Sequence, residues 1–202
     1  MLRIAFAVML VVAGAAKADT SLQRLVDQER RALGAIPGAQ LATYLGQPAA
    51  DLEYSPEWLA RQTPGKGGQQ WECLAEALYF EARGESIKGQ FAVAEVILNR
   101  VDDPGFPDSI CGVVNQGTGR KYACQFTYTC DGHAEAISEP AAFRRVGKVA
   151  KLMVDGAPRH LTKGATHYHT RAVNPRWARA FPRTATIGVH HFYRRPTRLS
   201  QN

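Results

Sequence analysis

The 202-residue chain has no C-x-x-C pair, no H-E-x-x-H and no G-x-S-x-G. The first absence removes the usual ligand spacing of a structural zinc site. The second removes the zinc-peptidase signature, and the third the nucleophile elbow of serine hydrolases. Past residue 18 no apolar run reaches the roughly 20 residues that cross a bilayer. No internal repeat recurs, which excludes solenoids and propellers. Acid is also short: 18 Asp and Glu stand against 25 Lys and Arg, a net charge of +7.

What is present begins with an apolar run from Ile4 to about Ala16, then Ala16-Lys17-Ala18. This is the layout of a secretory signal cleaved after Ala18. Loss of residues 1–18 removes Arg3 and Lys17 and no acid, so the charge falls from +7 to +5. An exported basic chain, in the periplasm or cell envelope, meets anionic envelope polymers rather than nucleic acid. Four cysteines, Cys73, Cys111, Cys124 and Cys130, fit two disulfides in such a compartment. If Ile110–Val114 and Cys124–Tyr128 pair as a hairpin, Cys111 falls opposite Cys130, which leaves Cys73 for Cys124.

Ser21–Leu33 carries Leu22, Leu25, Val26 and Leu33 at helical spacing. Residues 34–70 lack sustained periodicity and hold Pro37, Pro48, Pro56, Pro64 and the GKGG at 65–68, which reads as a linker or an extended arm. The expected organisation is a signal at 1–18, a helix and linker at 19–70, a catalytic domain at 71–195 and a tail at 196–202. Within that domain WECLAEALYFEAR puts Leu74, Ala77, Leu78 and Glu81 on one stripe, with Gly84 as its stop and Glu72 and Glu76 on the solvent side. IKGQFAVAEVILNRV is a second helix, ended by the turn residues 102–107. EPAAFRRVGKVAKLMVDG is a third, opened by Pro140 and closed by Gly156. SICGVVNQ and CQFTYTC read as two short strands, and TATIGVHHFYRR as a β-prone tail. The fold class is α+β, mainly helical, with a small β-hairpin element.

A carboxylate on the apolar stripe near a helix end is the chemical oddity. Desolvation disfavours the charged form of Glu81, which suits an acid that protonates the leaving oxygen of a glycosidic bond. The alternative is a helix-terminal glutamate held by Arg83 or Arg100. Glu85 is the candidate second carboxylate, with Glu95 behind it. Gln116, Gln125 and Tyr128 offer neutral polar groups and an aromatic face of the kind that sugars bind. In GATHYHT, His167 and His169 share one face of a strand, and with His190 and His191 they keep a metal-dependent amidase open.

CLAEALYFEARGES, GQFAVAEVILNRV, FPDSICGVVNQ, CQFTYTCDG and GATHYHT, in that order, resemble the cell wall hydrolase family of the spore cortex-lytic enzyme SleB. The resemblance runs from about Trp71 to Tyr193. It implies a lysozyme-like domain that cuts peptidoglycan glycan strands between N-acetylmuramic acid and N-acetylglucosamine without a cofactor. It further implies a lytic transglycosylase that leaves a 1,6-anhydro end, with Glu81 as the catalytic acid. Glu85 matches the motif's second glutamate, and Gln116, Gln125, Tyr128, Tyr168 and His169 become candidates for positioning sugars. The cysteines and the signal are similar to a proteobacterial branch, so ordinary envelope peptidoglycan is the expected substrate. A hydrolytic muramidase, the amidase and a non-catalytic envelope-binding protein are the rival readings.

Overall fold

The computed structural model describes residues 18–34, 52–120 and 123–196. The expected signal up to residue 17, linker residues 35–51 and the tail after residue 196 lie outside the described residues. Helix α1, Ala18–Gly34, belongs to a compact unit of its own and exposes Leu25. The second unit holds α2 (Pro56–Arg61), α3 (Gln69–Ala82), α4 (Ile87–Asp102), α5 (Ile110–Val114), α6 (Pro140–Val154), β1 (His167–Thr170), β2 (Arg183–Ile187) and β3 (His190–Tyr193).

Helix α4 is the spine. Ser86 caps its start, its Oγ accepting from Gly89 N at 3.2 Å. From Gly89 to Ile97 its residues are buried whichever way they face. Phe91, Val93, Ala94 and Ile97 enter the main core with Leu74, Leu78 and Ala82 of α3 and Val146, Val149 and Ala150 of α6. Ala92 and Val96 form a second cluster with Ala165 and Phe192 under the sheet. A helix wrapped on all sides has no solvent face, so its polar residues must find partners within the protein. Glu95 does so as a tie. It accepts from Leu161 N and Thr162 N at 2.9 Å each and from Thr162 Oγ1 at 2.5 Å, fixing the loop before β1.

Helices α3 and α6 approach closely because Gly147 has no side chain. Trp71 Nε1 donates to Gly147 O at 2.9 Å, and a Cβ there would stand 3.2 Å from the indole.

The sheet is antiparallel in the order β1-β3-β2, with Tyr168 opposite Phe192 and His169 opposite His191. It confirms the α+β class, but the hairpin lies at β2–β3, in the β-prone tail, rather than at residues 110–128. Ile110, Val113 and Val114 are buried at i, i+3 and i+4, a helical spacing, and Ser109 caps them by accepting from Gly112 N at 3.2 Å. Of the expected ladder, the bond from Gln125 N to Gln116 O at 2.8 Å remains, and a 3-10 turn follows at Thr127–Cys130.

The cysteine pairing changes with it. Cys111 on α5 bonds to Cys73 on α3, and Cys124 bonds to Cys130. A helix at 110–114 turns Cys111 toward α3 instead of across to Cys130.

The expected linker is also corrected over its last part. Leu59 is 2% exposed within the main core, and Tyr54 and Trp58 pack on Phe91 at ring distances of 5.3 and 6.3 Å. Residues 52–68 are therefore part of the compact body, short on periodicity because α2 is only six residues long.

Candidate active site

Helix α3 delivers Glu81 one residue before its last, Ala82, and Gly84 lies in the turn beyond. Leu74, Ala77, Leu78 and Ala82 anchor the helix in the core, so the half-buried carboxyl has little freedom. It stands on the wall between two depressions. One is a groove of about 370 Å³ lined by Phe80, Glu81, Arg83, Glu85 and Glu139. The other is a polar cavity of about 130 Å³ lined by Glu81, Arg100, Gln125, Phe126, Thr127 and Tyr168.

Tyr168 O–H donates to Glu81 Oε2 at 3.0 Å. Burial pushes the Glu81 carboxyl above its ordinary value, while the Tyr168 bond and the Arg100 charge pull the other way. Burial also lifts the Tyr168 hydroxyl well above its usual range, so it remains a donor. Arg83, one of the two arginines that could have held Glu81 as a surface pair, instead bonds Glu139 through Nε at 2.8 Å.

Arg100 is 3% exposed, and its Nε donates to Thr166 O at 2.7 Å. With its amide oxygen turned inward, Gln125 accepts from Arg100 Nη1 at 3.2 Å and Nη2 at 3.3 Å. Burial pulls the guanidinium down to about 10, which leaves it cationic near neutrality. Sequence reasoning offered Arg100 only as a surface partner. The available signal was its spacing after Val93, Val96 and Ile97, which places it on a buried face of α4.

The remaining candidates divide. Tyr128 is buried and stacks on Phe80 at 4.4 Å, its hydroxyl without a hydrogen-bond partner among the described residues and raised by burial and then by Glu76, Glu81 and Glu135. Glu76, expected in solvent, is half-buried beside it, its carboxyl raised by burial and then by Glu135 and Glu72. Gln116 contributes its backbone oxygen to Gln125 and does not line the cavity; its own buried Oε1 has no partner among the described residues. His169 lies on the other side of β1 from Tyr168, its Nδ1 2.8 Å from Thr170 O and its Nε2 3.0 Å from Tyr193 Oη. His167 shares that outer face against Trp177 and Phe181, and burial, then Arg100 and Arg195, pull it down to about 4.

Glu85 reaches the same groove as Glu81 but sits in a niche of its own. Its Oε1 is 3.7 Å from His190 Nδ1, and its Oε2 would stand 2.2 Å from a Cβ at Gly188. Gly188 has φ 59°, a turn that glycine makes without strain, and the bare Cα is what lets the carboxylate approach. Among the described residues no group of three or more His, Cys, Asp and Glu converges as a metal site.

One desolvated carboxyl on a groove wall, backed by a tyrosine, an arginine and an amide, is equipped to exchange a proton with a polar group entering the groove. The sequence pattern described as Cell Wall Hydrolase matches residues 84–193, more than half of the chain, and the chain belongs to that family. The matched stretch begins just after Glu81 and includes Glu85, Gln125, Tyr128 and Tyr168. The spore cortex-lytic enzyme of Halalkalibacterium halodurans is 32% identical over 145 residues, covering 71% of this chain and 40% of that protein. That of Bacillus subtilis (strain 168) is 58% identical over 55 residues, 27% of this chain and 18% of that protein. The chain thus spans two fifths or less of these curated relatives. The solved catalytic domain of the germination-specific lytic transglycosylase SleB from Bacillus anthracis is 31% identical, with a TM-score of 0.49, covering 64% of this chain and 98% of that one.

Proposed function

We propose that this chain cleaves the glycan strands of peptidoglycan between N-acetylmuramic acid and N-acetylglucosamine as a lytic transglycosylase, with Glu81 as its acid and base. The observation that carries the reading is the half-buried Glu81 carboxyl, raised by desolvation at the edge of an open groove. Protonated Glu81 gives its proton to the glycosidic oxygen, and the bond breaks through an oxocarbenium-like transition state. The carboxylate then takes the proton from the muramoyl C6 hydroxyl as that oxygen closes onto C1. One side chain serves both steps because donating the proton makes it the base. Family membership supports peptidoglycan as the substrate, and the relatives' names, a spore cortex-lytic enzyme and a lytic transglycosylase, support cleavage of its glycan strands.

In this reading Tyr168 and Arg100 orient the carboxyl, Gln125 and Phe80 meet the sugars, and Tyr128, buried and stacked on Phe80, backs that ring rather than touching the strand. The contribution of Gln116 and His169 is indirect, through the backbone of 125 and the outer face of β1. Export to the periplasm or envelope, with residues 1–18 removed, fits such a substrate, and the catalytic body extends from residue 52 through 195.

The test is digestion of purified sacculi with mass analysis of the soluble products. The parent chain is expected to release 1,6-anhydro muropeptides. Glu81→Gln is expected to lose at least about a hundredfold in turnover, the low end of what a positioned acid contributes. It should fold, because the glutamine oxygen still accepts from Tyr168. Reducing-end products instead of anhydro ends point to water as the acceptor. Free peptides point to an amidase, and undiminished turnover in Glu81→Gln removes Glu81 from the chemistry.

A further inference from the structure

Asp155 is the last acid in the sequence. Arg171, Arg176, Arg179 and Arg183 follow with no aspartate or glutamate among or after them. In the fold these four arginines rim the outer side of the sheet. Arg171 follows β1, Arg183 opens β2 opposite Tyr193, and Arg176 and Arg179 flank Trp177 on a 3-10 turn laid across that side. All four are exposed, and none makes an ion pair among the described residues, whereas Arg159 and Arg195 pair with Asp102 and Asp103.

The platform beneath them is rigid. The Trp177 ring lies 5.2 Å from His167, 5.3 Å from Tyr193 and 5.8 Å from Phe181. His191, on the same side, is held below its ordinary range by burial and then by the charges of Arg183, His169 and Arg171. Val173 and Val189, 55% and 48% exposed, join the edge where Arg171 N donates to Val189 O at 2.9 Å.

Four like charges on a fixed frame make a field of one sign, and the guanidinium fork matches an oxyanion in two-point contact. We propose that this arginine-rimmed face is a second docking surface, separate from the Glu81 groove, that binds the carboxylates of the peptides borne by peptidoglycan glycan strands. The proposal rests on the peptidoglycan reading above. Wall peptides carry carboxylates beside alanine methyl groups, which matches guanidiniums set beside exposed valines. A phosphate polymer or an anionic sugar would have no use for the valines. Tyr168 and His169 project to opposite sides of β1, so this face and Glu81 lie on opposite sides of the sheet. The protein can thereby hold a peptide of one strand while the groove engages another, and two weak contacts raise the effective concentration at each.

The experiment is co-sedimentation of the full chain with purified sacculi across a salt series, carried out with Glu81→Gln so that binding is read without cleavage. Joint replacement of Arg171, Arg176, Arg179 and Arg183 by Ser is expected to weaken binding about tenfold or more and to flatten its salt dependence. Val173→Ser with Val189→Ser, which keeps every charge, is expected to weaken binding and keep the salt slope. Sacculi whose free carboxylates are amidated with a neutral amine should lose the same affinity for the unchanged arginine face. Near-UV circular dichroism checks the fold of each variant, and single replacements of Arg176 and Arg179 substitute if the joint one does not fold. Equal binding by the arginine variant, unchanged binding to amidated sacculi, or loss only after wall phosphate polymers are stripped would each overturn the proposal. Failure of the catalytic reading would appear instead as soluble products released by Glu81→Gln, and the same binding comparisons are then made in the cold at times before any product is released.

Discussion

Glu81 is under opposed influences. Burial favours its neutral form, and the Tyr168 hydrogen bond and Arg100 favour the ion; burial is the largest. Tyr168→Phe removes one of the opposing two, so the carboxyl rises further. A general acid works while protonated, and its rate falls as pH climbs through its pKa. The alkaline limb of kcat/KM against pH is therefore expected to move to higher pH in Tyr168→Phe. A limb at the same or lower pH would show that the hydroxyl does not govern Glu81. Much of this site was legible in the chain. Glu81 falls on the stripe of Leu74, Ala77 and Leu78, so helical spacing alone drew it inward. Its partners were harder to read, since Arg100, Gln125 and Tyr168 come from three separate segments whose meeting depends on how α4 is wrapped. His169, one position from Tyr168, points away for the simple reason that strand neighbours alternate.

Among the elements, the disulfides separate stability from site geometry. Cys73–Cys111 links α3 to α5 across 38 residues, and Cys124–Cys130 closes only six. Loop-closure entropy then assigns about 4 kcal/mol to the first and about 2 kcal/mol to the second. Replacing Cys73 and Cys111 by Ser should lower the thermal midpoint by the larger amount. Replacing Cys124 and Cys130 should cost less stability and raise the KM of the proposed glycan cleavage more, because residues 125–127 on that loop wall the cavity beside Glu81. The reverse order in the melting data would contradict this division. The expected hairpin failed because Ile110–Val114 can be read with period two or as i, i+3, i+4. The Ser109 cap and burial against α3 decide for the helix.

For the molecule as a whole, the working body starts earlier than its periodic pattern. Tyr54, Trp58 and Leu59 cover Phe91 and the core between α3 and α6. A chain starting at residue 52 is expected to retain the cooperative unfolding of this body, whereas one starting at 69 should lose about 2–5 kcal/mol or more, the cost of emptying a Leu-sized core position and more besides. Denaturant titration distinguishes the two, and equal midpoints would return residues 52–68 to the role of linker. What the amino-acid order determined by itself was local. Three long helices with apolar spacing, the carboxylate at the end of one and a β-prone tail follow from spacing and end signals within a dozen residues. What only the tertiary structure decided was which distant residues meet. Cysteine partners, the buried Arg100 beside Glu81 and the two sides of the sheet depend on contacts between segments far apart in sequence. Such contacts are set by joint burial around α4, for which no local periodicity carries a signal.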